Sequence, residues 1–219
     1  MSIERPWLAN YPKGVPEQID LSQFKSVPDV LAVACRDFAA RPAYENLGRT
    51  LSYAQIDALS QQFAAYLLHG LKLKKGDRVA IMLPNVLQYP IAIFGALRAG
   101  LTVVNTNPMY TARELKHQLV DSGASAIVVL DNFAATLSEV LHDTPIRQVV
   151  TTGVGDLLGF PKGTLVNLTL KYVKKAIPEF HIPGAIRFND ALSQGAGKAL
   201  PSITLSHEDI AFLQYTGGT

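Results

Sequence analysis

The chain has 219 residues, 48% of them hydrophobic and 17% charged, enough apolar material for a globular core, which excludes a disordered chain. Its 20 basic and 18 acidic residues leave a formal charge of +2, too balanced to point to nucleic acid as a partner. The lone Cys35 rules out an internal disulfide or a cysteine metal cluster, and within VLAVACRDF it reads as a small buried hydrophobe.

The opening MSIERPWLAN carries Glu4 and Pro6 where a secretory signal needs an apolar stretch. The longest apolar run, around PIAIFGAL, is too short to span a bilayer, so the expectation is a cytoplasmic protein. Pro6, Pro12 and Pro16 make residues 1–25 an extended strap, with Trp7 and Tyr11 as its expected anchors. Residues 26–155 then read as an α/β domain.

Within that domain, Val27, Val30, Leu31, Ala34 and Phe38 have helical spacing, and AYENLGRTLSY predicts two short strands turning at Gly48. Ser52 and Gln55 form a capping box for a helix over 53–69 that stops at Gly70, where His69 can meet the carbonyl end of the dipole. RVAIMLP predicts a buried strand, PIAIFGALRAG a helix closed by Gly100, and LTVVN another strand. A second capping box, Thr111 with Glu114, opens a helix ending at Ser122-Gly123. AIVVL, a helix over 132–142, and RQVVTT complete four strands and three helices between 78 and 152. Such crossovers predict a mostly parallel sheet with helices on both faces, plus the small N-terminal β-hairpin.

The pattern changes after Thr152, and residues 156–202 are expected to be a loop and a basic amphipathic helix inserted beside the domain. LVNLTLKYVKKAIP puts Leu165, Leu168, Tyr172, Val173, Ala176 and Ile177 on one helical face, with Asn167, Lys171, Lys174 and Lys175 mostly opposite and Leu170 breaking the polar side. Two readings stay open: the apolar face packs on the domain, or it enters a lipid headgroup layer while Lys162, Lys171, Lys174 and Lys175 meet anionic lipid. QGAGKALPS reads as a flexible connection. Residues 203–219 read as a turn at Ser206–Asp209 and a strand, IAFLQY, running into TGGT.

The residues with chemical interest are in that last stretch. Gly217 and Gly218 let the main chain approach a phosphate without a Cβ clash, and successive amides with the Thr216 and Thr219 hydroxyls would form an anion-binding nest. Alone, TGGT is more often an ordinary turn. GVGDLLG imitates a dinucleotide fingerprint, but its third glycine falls one place late and Phe160-Pro161 breaks the following helix. GAGK lacks the upstream glycine and the following hydroxyl residue of a Walker loop. His117, His142, His181 and His207 lack metal-ligand spacing, so no metal site is expected.

Three stretches in one order resemble motifs of the acyl-adenylate-forming superfamily. LSYAQI (51–56) is similar to its Leu-Thr/Ser-Tyr-x-Glu-Leu, and ALRAGLTVVNTNPMYTARELKHQL (96–119) to its second motif. AFLQYTGGT (211–219) resembles the first half of its phosphate loop, which continues Thr-Gly-x-x-Lys-Gly. Gln55, Ile56 and Arg98 depart from the usual Glu, Leu and Lys, and Gly218 stands where many relatives have Ser-Gly spacing. With LKKGDRVAIMLPNVLQYPIAIFG and DSGASAIVVL, the resemblance is specifically to bacterial long-chain fatty-acid–CoA ligases and covers essentially the whole chain.

The resemblance implies a two-step reaction in which a fatty acid attacks MgATP to give an acyl-adenylate and pyrophosphate, after which the thiol of coenzyme A displaces AMP. It assigns Tyr215, Thr216, Gly217, Gly218 and Thr219 to phosphate binding and no catalytic group to this chain. The loop lysine, the adenine and ribose contacts, the acyl tunnel and the catalytic lysine of a C-terminal domain would lie past Thr219, so the chain alone is expected to be inactive and to hold nucleotide poorly. Apolar surface that meets a further lobe in such a ligase would promote self-association. Other readings are a ligase for medium-chain or aromatic acids and a non-enzymatic α/β module that binds membrane or protein.

Overall fold

The computed structural model describes residues 4–216. Its first α-helix, α1 (Val27–Asp37), is capped by the Ser26 hydroxyl and followed by an antiparallel hairpin, β1 (Pro42–Asn46) and β2 (Arg49–Ser52). Leu47 and Gly48 both have positive φ, 48° and 70°, the geometry whose twist matches a two-residue hairpin. Helix α2 (Tyr53–His69) starts from the expected capping box, with the Ser52 amide donating to Gln55 Oε1 and the Gln55 amide to Ser52 Oγ.

The alternating units follow in the predicted order: β3 (Arg78–Met82), α3 (Gln88–Arg98), β4 (Thr102–Asn105), α4 (Ala112–Ser122), β5 (Ala126–Leu130), α5 (Ala134–Val140) and β6 (Gln148–Thr152). The Thr111–Glu114 box caps α4, and Gly123 ends it in the left-handed region. Next come α6 (Lys162–Leu168), running into a π-helical turn over Thr169–Val173, then β7 (Ile186–Arg187), α7 (Phe188–Gly195) and β8 (Phe212–Gln214).

Six strands form one sheet in the order β7-β6-β5-β3-β4-β8, and every neighbouring pair is parallel. Alternate residues feed two cores. Val79, Ile81, Val103 and Val128 face a layer built from α1, α2, α3 and α7, while Ala80, Met82, Val104, Ile127 and Val129 face α4 and α5. Being covered on both sides, β5 is buried at all five positions, which is why its sequence is a continuous apolar run rather than an alternating one. Phe63 of α2 meets Phe188 of α7 at 4.8 Å between ring centroids. Gly95 lets α3 lie close to α2, because a Cβ there would stand 2.8 Å from Phe63 Cδ1 and 3.1 Å from the Ser60 carbonyl oxygen.

Five expectations need correction. Trp7 and Tyr11 are exposed, at 51% and 41%, where anchors would be buried; Leu8 and Phe24 are the partly buried residues of the strap, and His207 Nε2 lies 2.6 Å from the Phe24 carbonyl. Nor is the strap extended throughout: Pro6–Asn10 and Leu21–Gln23 are short 3-10 turns, the first opened by a proline whose fixed φ also suits a helical start. His69 reaches across to the Ala199 carbonyl at 2.9 Å instead of its own helix end. That contact fastens the stretch expected to be a flexible connection, and just past it Lys75 donates to the Thr204 carbonyl at 2.8 Å. Residues 156–202 also supply β7 and the core helix α7, with Phe188 and Ala191 fully buried, because a two-residue strand is too short to show a period.

The helix after Pro161 is turned about its axis relative to its amphipathic reading. Gly163, Val166, Asn167 and Leu170 face the body, while Leu165, Leu168, Tyr172 and Val173 face outward. Three contacts hold it so. Asn167 Nδ2 donates to Asp156 at 2.8 Å, Asn167 Oδ1 accepts from the Gly155 amide at 2.8 Å, and Gly155 and Gly163 approach so closely that a Cβ on either would meet the other's carbonyl oxygen. The helix ends at Val173, and Lys175 is left-handed at φ 49°, so it does not continue to Ile177.

Candidate functional site

The chain leaves β3 toward α3 on one face of the sheet and leaves β4 toward α4 on the other. A crevice must open between those two exits, and in open parallel sheets this switch point, at the carboxyl ends of the strands, is where ligands bind. A cavity of about 210 Å³ lies there, lined among others by Tyr89, Asn105, Asn107, Tyr110, Gln214 and Tyr215.

Asn105, the last residue of β4, organises the floor. Its Oδ1 accepts from the Tyr89 hydroxyl at 3.2 Å, its Nδ2 donates to Gln214 Oε1 at 3.0 Å, and its carbonyl accepts from Gln118 Nε2 at 2.9 Å. The register of β8 on β4 pairs Asn105 with Gln214, so Tyr215 and Thr216 project just past the carboxyl edge, beside Thr106. The segment predicted to bind phosphate therefore starts at the crevice. Of its five residues, Gly217, Gly218 and Thr219 lie outside the described residues; Thr216 is exposed, and Tyr215 is partly buried.

Tyr215 turns its ring toward the α4 layer, and its hydroxyl donates to Asp121 Oδ2 at 2.5 Å. Its side chain thus ties the end of β8 to α4, leaving its main chain to the loop. Burial, then the hydrogen bond to the Asp121 carboxylate, pushes the phenol from 10.0 up to about 12. A proton held more tightly in the folded chain contributes stability that is complete below pH 10 and is lost as pH rises toward 12. The phenolate absorbance difference between the parent and Tyr215→Phe is expected to titrate near pH 12, and a difference titrating at about 10 would contradict the pairing.

A second polar cluster occupies the other half of the same edge, and sequence reasoning missed it. Arg187 of β7 donates to Asp131 at 2.7 Å, Thr151 at 3.1 Å and Asp156 at 3.0 Å. Burial alone would lower the Arg187 pKa, but the two carboxylates outweigh it and raise it. The Asp156 carboxylate also accepts from the Gly153 amide at 2.8 Å and the Thr152 hydroxyl at 3.0 Å. The one local signal was an aspartate three residues after a glycine at a strand end, inside the false dinucleotide fingerprint GVGDLLG. Among the described residues, no three His, Cys, Asp or Glu side chains converge on a candidate metal site.

An open parallel α/β sheet with a crevice at its switch point is a class of domain in which ligands bind outside the carboxyl ends of the strands. Residues 31–219 match the AMP-binding enzyme family, and the chain belongs to that family. It is 51% identical over 217 residues to a long-chain-fatty-acid–CoA ligase of Haemophilus influenzae, covering 99% of this chain and 39% of that one. A long-chain-fatty-acid–CoA ligase of Bacillus subtilis is 38% identical over 223 residues, covering 100% and 39%. The chain thus spans 39% of the length of these curated relatives. Among solved structures, an anthranilate CoA ligase in complex with anthranoyl-AMP superposes with a TM-score of 0.72 at 18% identity, over 91% of this chain and 34% of that one. A long-chain-fatty-acid-CoA ligase from Archaeoglobus fulgidus gives 0.68 at 22%, over 95% and 37%. These two establish likeness of fold.

Proposed function

We propose that this chain is the N-terminal α/β part of a cytoplasmic acid–CoA ligase acting on long-chain fatty acids. In that reaction a carboxylate oxygen bonds to the α-phosphorus of ATP and pyrophosphate leaves; the coenzyme A thiolate then attacks the acyl carbon and AMP leaves. Mg²⁺ enters bound to the ATP phosphates. The single observation that carries the reading is identity of 51% over 99% of the chain to a ligase named for long-chain fatty acids. A salicyl-AMP ligase of Mycobacterium tuberculosis matches over 58% of the chain at 39%, which makes aromatic acids the second choice.

Tyr215 to Thr219 are assigned to the phosphates: the Tyr215 side chain as the tether, Thr216 and Thr219 as hydroxyl donors, and the Gly217 and Gly218 amides as the cradle. The test uses a protein of the relatives' length that begins with these 219 residues. Given ATP, Mg²⁺ and coenzyme A, it is expected to release AMP with palmitate and far less with salicylate. Gly217→Val and Gly218→Val keep the amides but put a branched side chain where the phosphates would approach, and should slow that release about a hundred- to a thousandfold, as loss of contact with transition-state donors does, without moving the unfolding midpoint. Faster turnover of salicylate would overturn the substrate, no turnover of any acid the ligase reading, and full activity of both variants the loop assignment.

A further inference from the structure

We infer that Asn105 is a positioning residue for the phosphate loop, acting through Gln214 on the main chain where that loop begins. This role rests on the proposed ligase reaction and gives it a residue outside the loop itself. Asn105 ends β4 where the sheet changes faces, and it is held from both of them. On one face the Tyr89 hydroxyl of α3 donates to its Oδ1 at 3.2 Å; on the other, Gln118 of α4, itself only 2% exposed, donates to its carbonyl at 2.9 Å. Its Nδ2 reaches across to β8 and donates to Gln214 Oε1 at 3.0 Å, and Gln214 Nε2 in turn donates to the Tyr215 carbonyl at 3.4 Å. A directed chain of hydrogen bonds thus runs from α3, through the end of β4, to the first main-chain carbonyl of the loop.

A side-chain amide can accept at one atom while donating at another, which neither a carboxylate nor an apolar group of the same size can do. The register pairs Asn105 with Gln214, so their side chains stand side by side on the α3 face. Tyr215, one residue on, turns to the α4 face, where its hydroxyl bonds Asp121. The main chain entering the loop is therefore gripped from both faces at successive residues. Stability alone does not account for the α3 grip: Gln214 is exposed, and its amide exchanges water for Asn105 with little net gain. What the grip fixes is direction. The peptide is planar and trans, so holding the Tyr215 carbonyl also aims the Thr216 amide the opposite way and sets the course of the chain toward Gly217.

The test uses the same protein of the relatives' length and reads the two steps of the reaction separately. Palmitate-dependent exchange of pyrophosphate into ATP reports the first step, and Asn105→Ala should slow it about ten- to a hundredfold, the scale of loss when reacting groups are misplaced by about 1 Å, with the KM for palmitate unchanged. Conversion of supplied palmitoyl-AMP by coenzyme A involves no pyrophosphate and should stay at the parent rate. Tyr89→Phe removes only the far link and should slow exchange about fivefold, the equivalent of one neutral hydrogen bond. Gln214→Ala should match Asn105→Ala, and the double variant should be no slower than either, because links of one chain are not additive. Gly197→Ala, strained in its backbone and outside the cavity lining, should exchange at the parent rate. Parent-rate exchange by Asn105→Ala, equal losses in both steps, or losses that multiply in the double variant would each overturn the inference while the parent's turnover still supports the proposed reaction. A parent that exchanges with no acid would overturn the ligase reading, and this role with it.

Discussion

Asp156→Ala is expected to destabilise the fold by about 3–5 kcal/mol, the cost of removing one partner from a buried charged network. The Asp156 side chain is 10% exposed and accepts from four donors: Thr152 Oγ1, the Gly153 amide, Asn167 Nδ2 and Arg187 Nη2. Alanine strands all four. A buried donor left without a partner costs about 1–3 kcal/mol, and water entering beside Arg187, which is itself 40% exposed, recovers part of the sum. Asp156→Asn keeps one acceptor oxygen and adds two unwanted donors, so its loss should fall between those of the parent and alanine. Urea unfolding measures both. A loss below about 1 kcal/mol for alanine would mean that the cluster is solvated and contributes little. Asn167 belongs to the same network, so the alanine variant should also free α6, and protease cleavage within residues 162–173 should accelerate in step with the loss of stability.

Gly195→Ala should cost about 2–4 kcal/mol, above the usual range for one added methyl in a core, because the obstruction is backbone. A Cβ at this last residue of α7 would run into the Gln62 carbonyl oxygen of α2, with the Gln62 carbonyl carbon at 2.8 Å and the Tyr66 nitrogen at 3.0 Å behind it. A helix backbone cannot move aside as a side chain does, so α7 must lift and the Phe63–Phe188 contact must loosen. Gly197→Ala is the matched control. Nothing lies within 4 Å of its added methyl, but φ is +72°, so its penalty is conformational, about 1–2 kcal/mol. Thermal unfolding should rank the alanine variants 195 below 197 below the parent. The reverse order would show that the α2–α7 contact is slack.

The resemblance to acyl-adenylate-forming enzymes was legible in LSYAQI, in the stretch from Ala96 to Leu119 and in AFLQYTGGT, and the family match over residues 31–219 agrees with it. The reversal of the α6 segment was not. Its composition is that of a helix with an apolar seam, and by composition the seam belongs inside. Asn167 won that position because two buried partners, Asp156 and the Gly155 amide, need an amide side chain there, and both are set by the turn after β6.

Local chemistry therefore determined the elements themselves. Capping boxes at Ser52 and Thr111, a left-handed stop at Gly123 and the apolar runs of β3 and β5 act within a few residues and can be read one turn at a time. What the tertiary structure alone decided was which groups meet across long separations: Arg187 with Asp131 and Asp156, Tyr215 with Asp121, Gly195 with the backbone of α2. Those meetings depend on the order of strands in the sheet and on which face each crossover takes, and the free energies behind that choice are summed over the whole core rather than written at any one position.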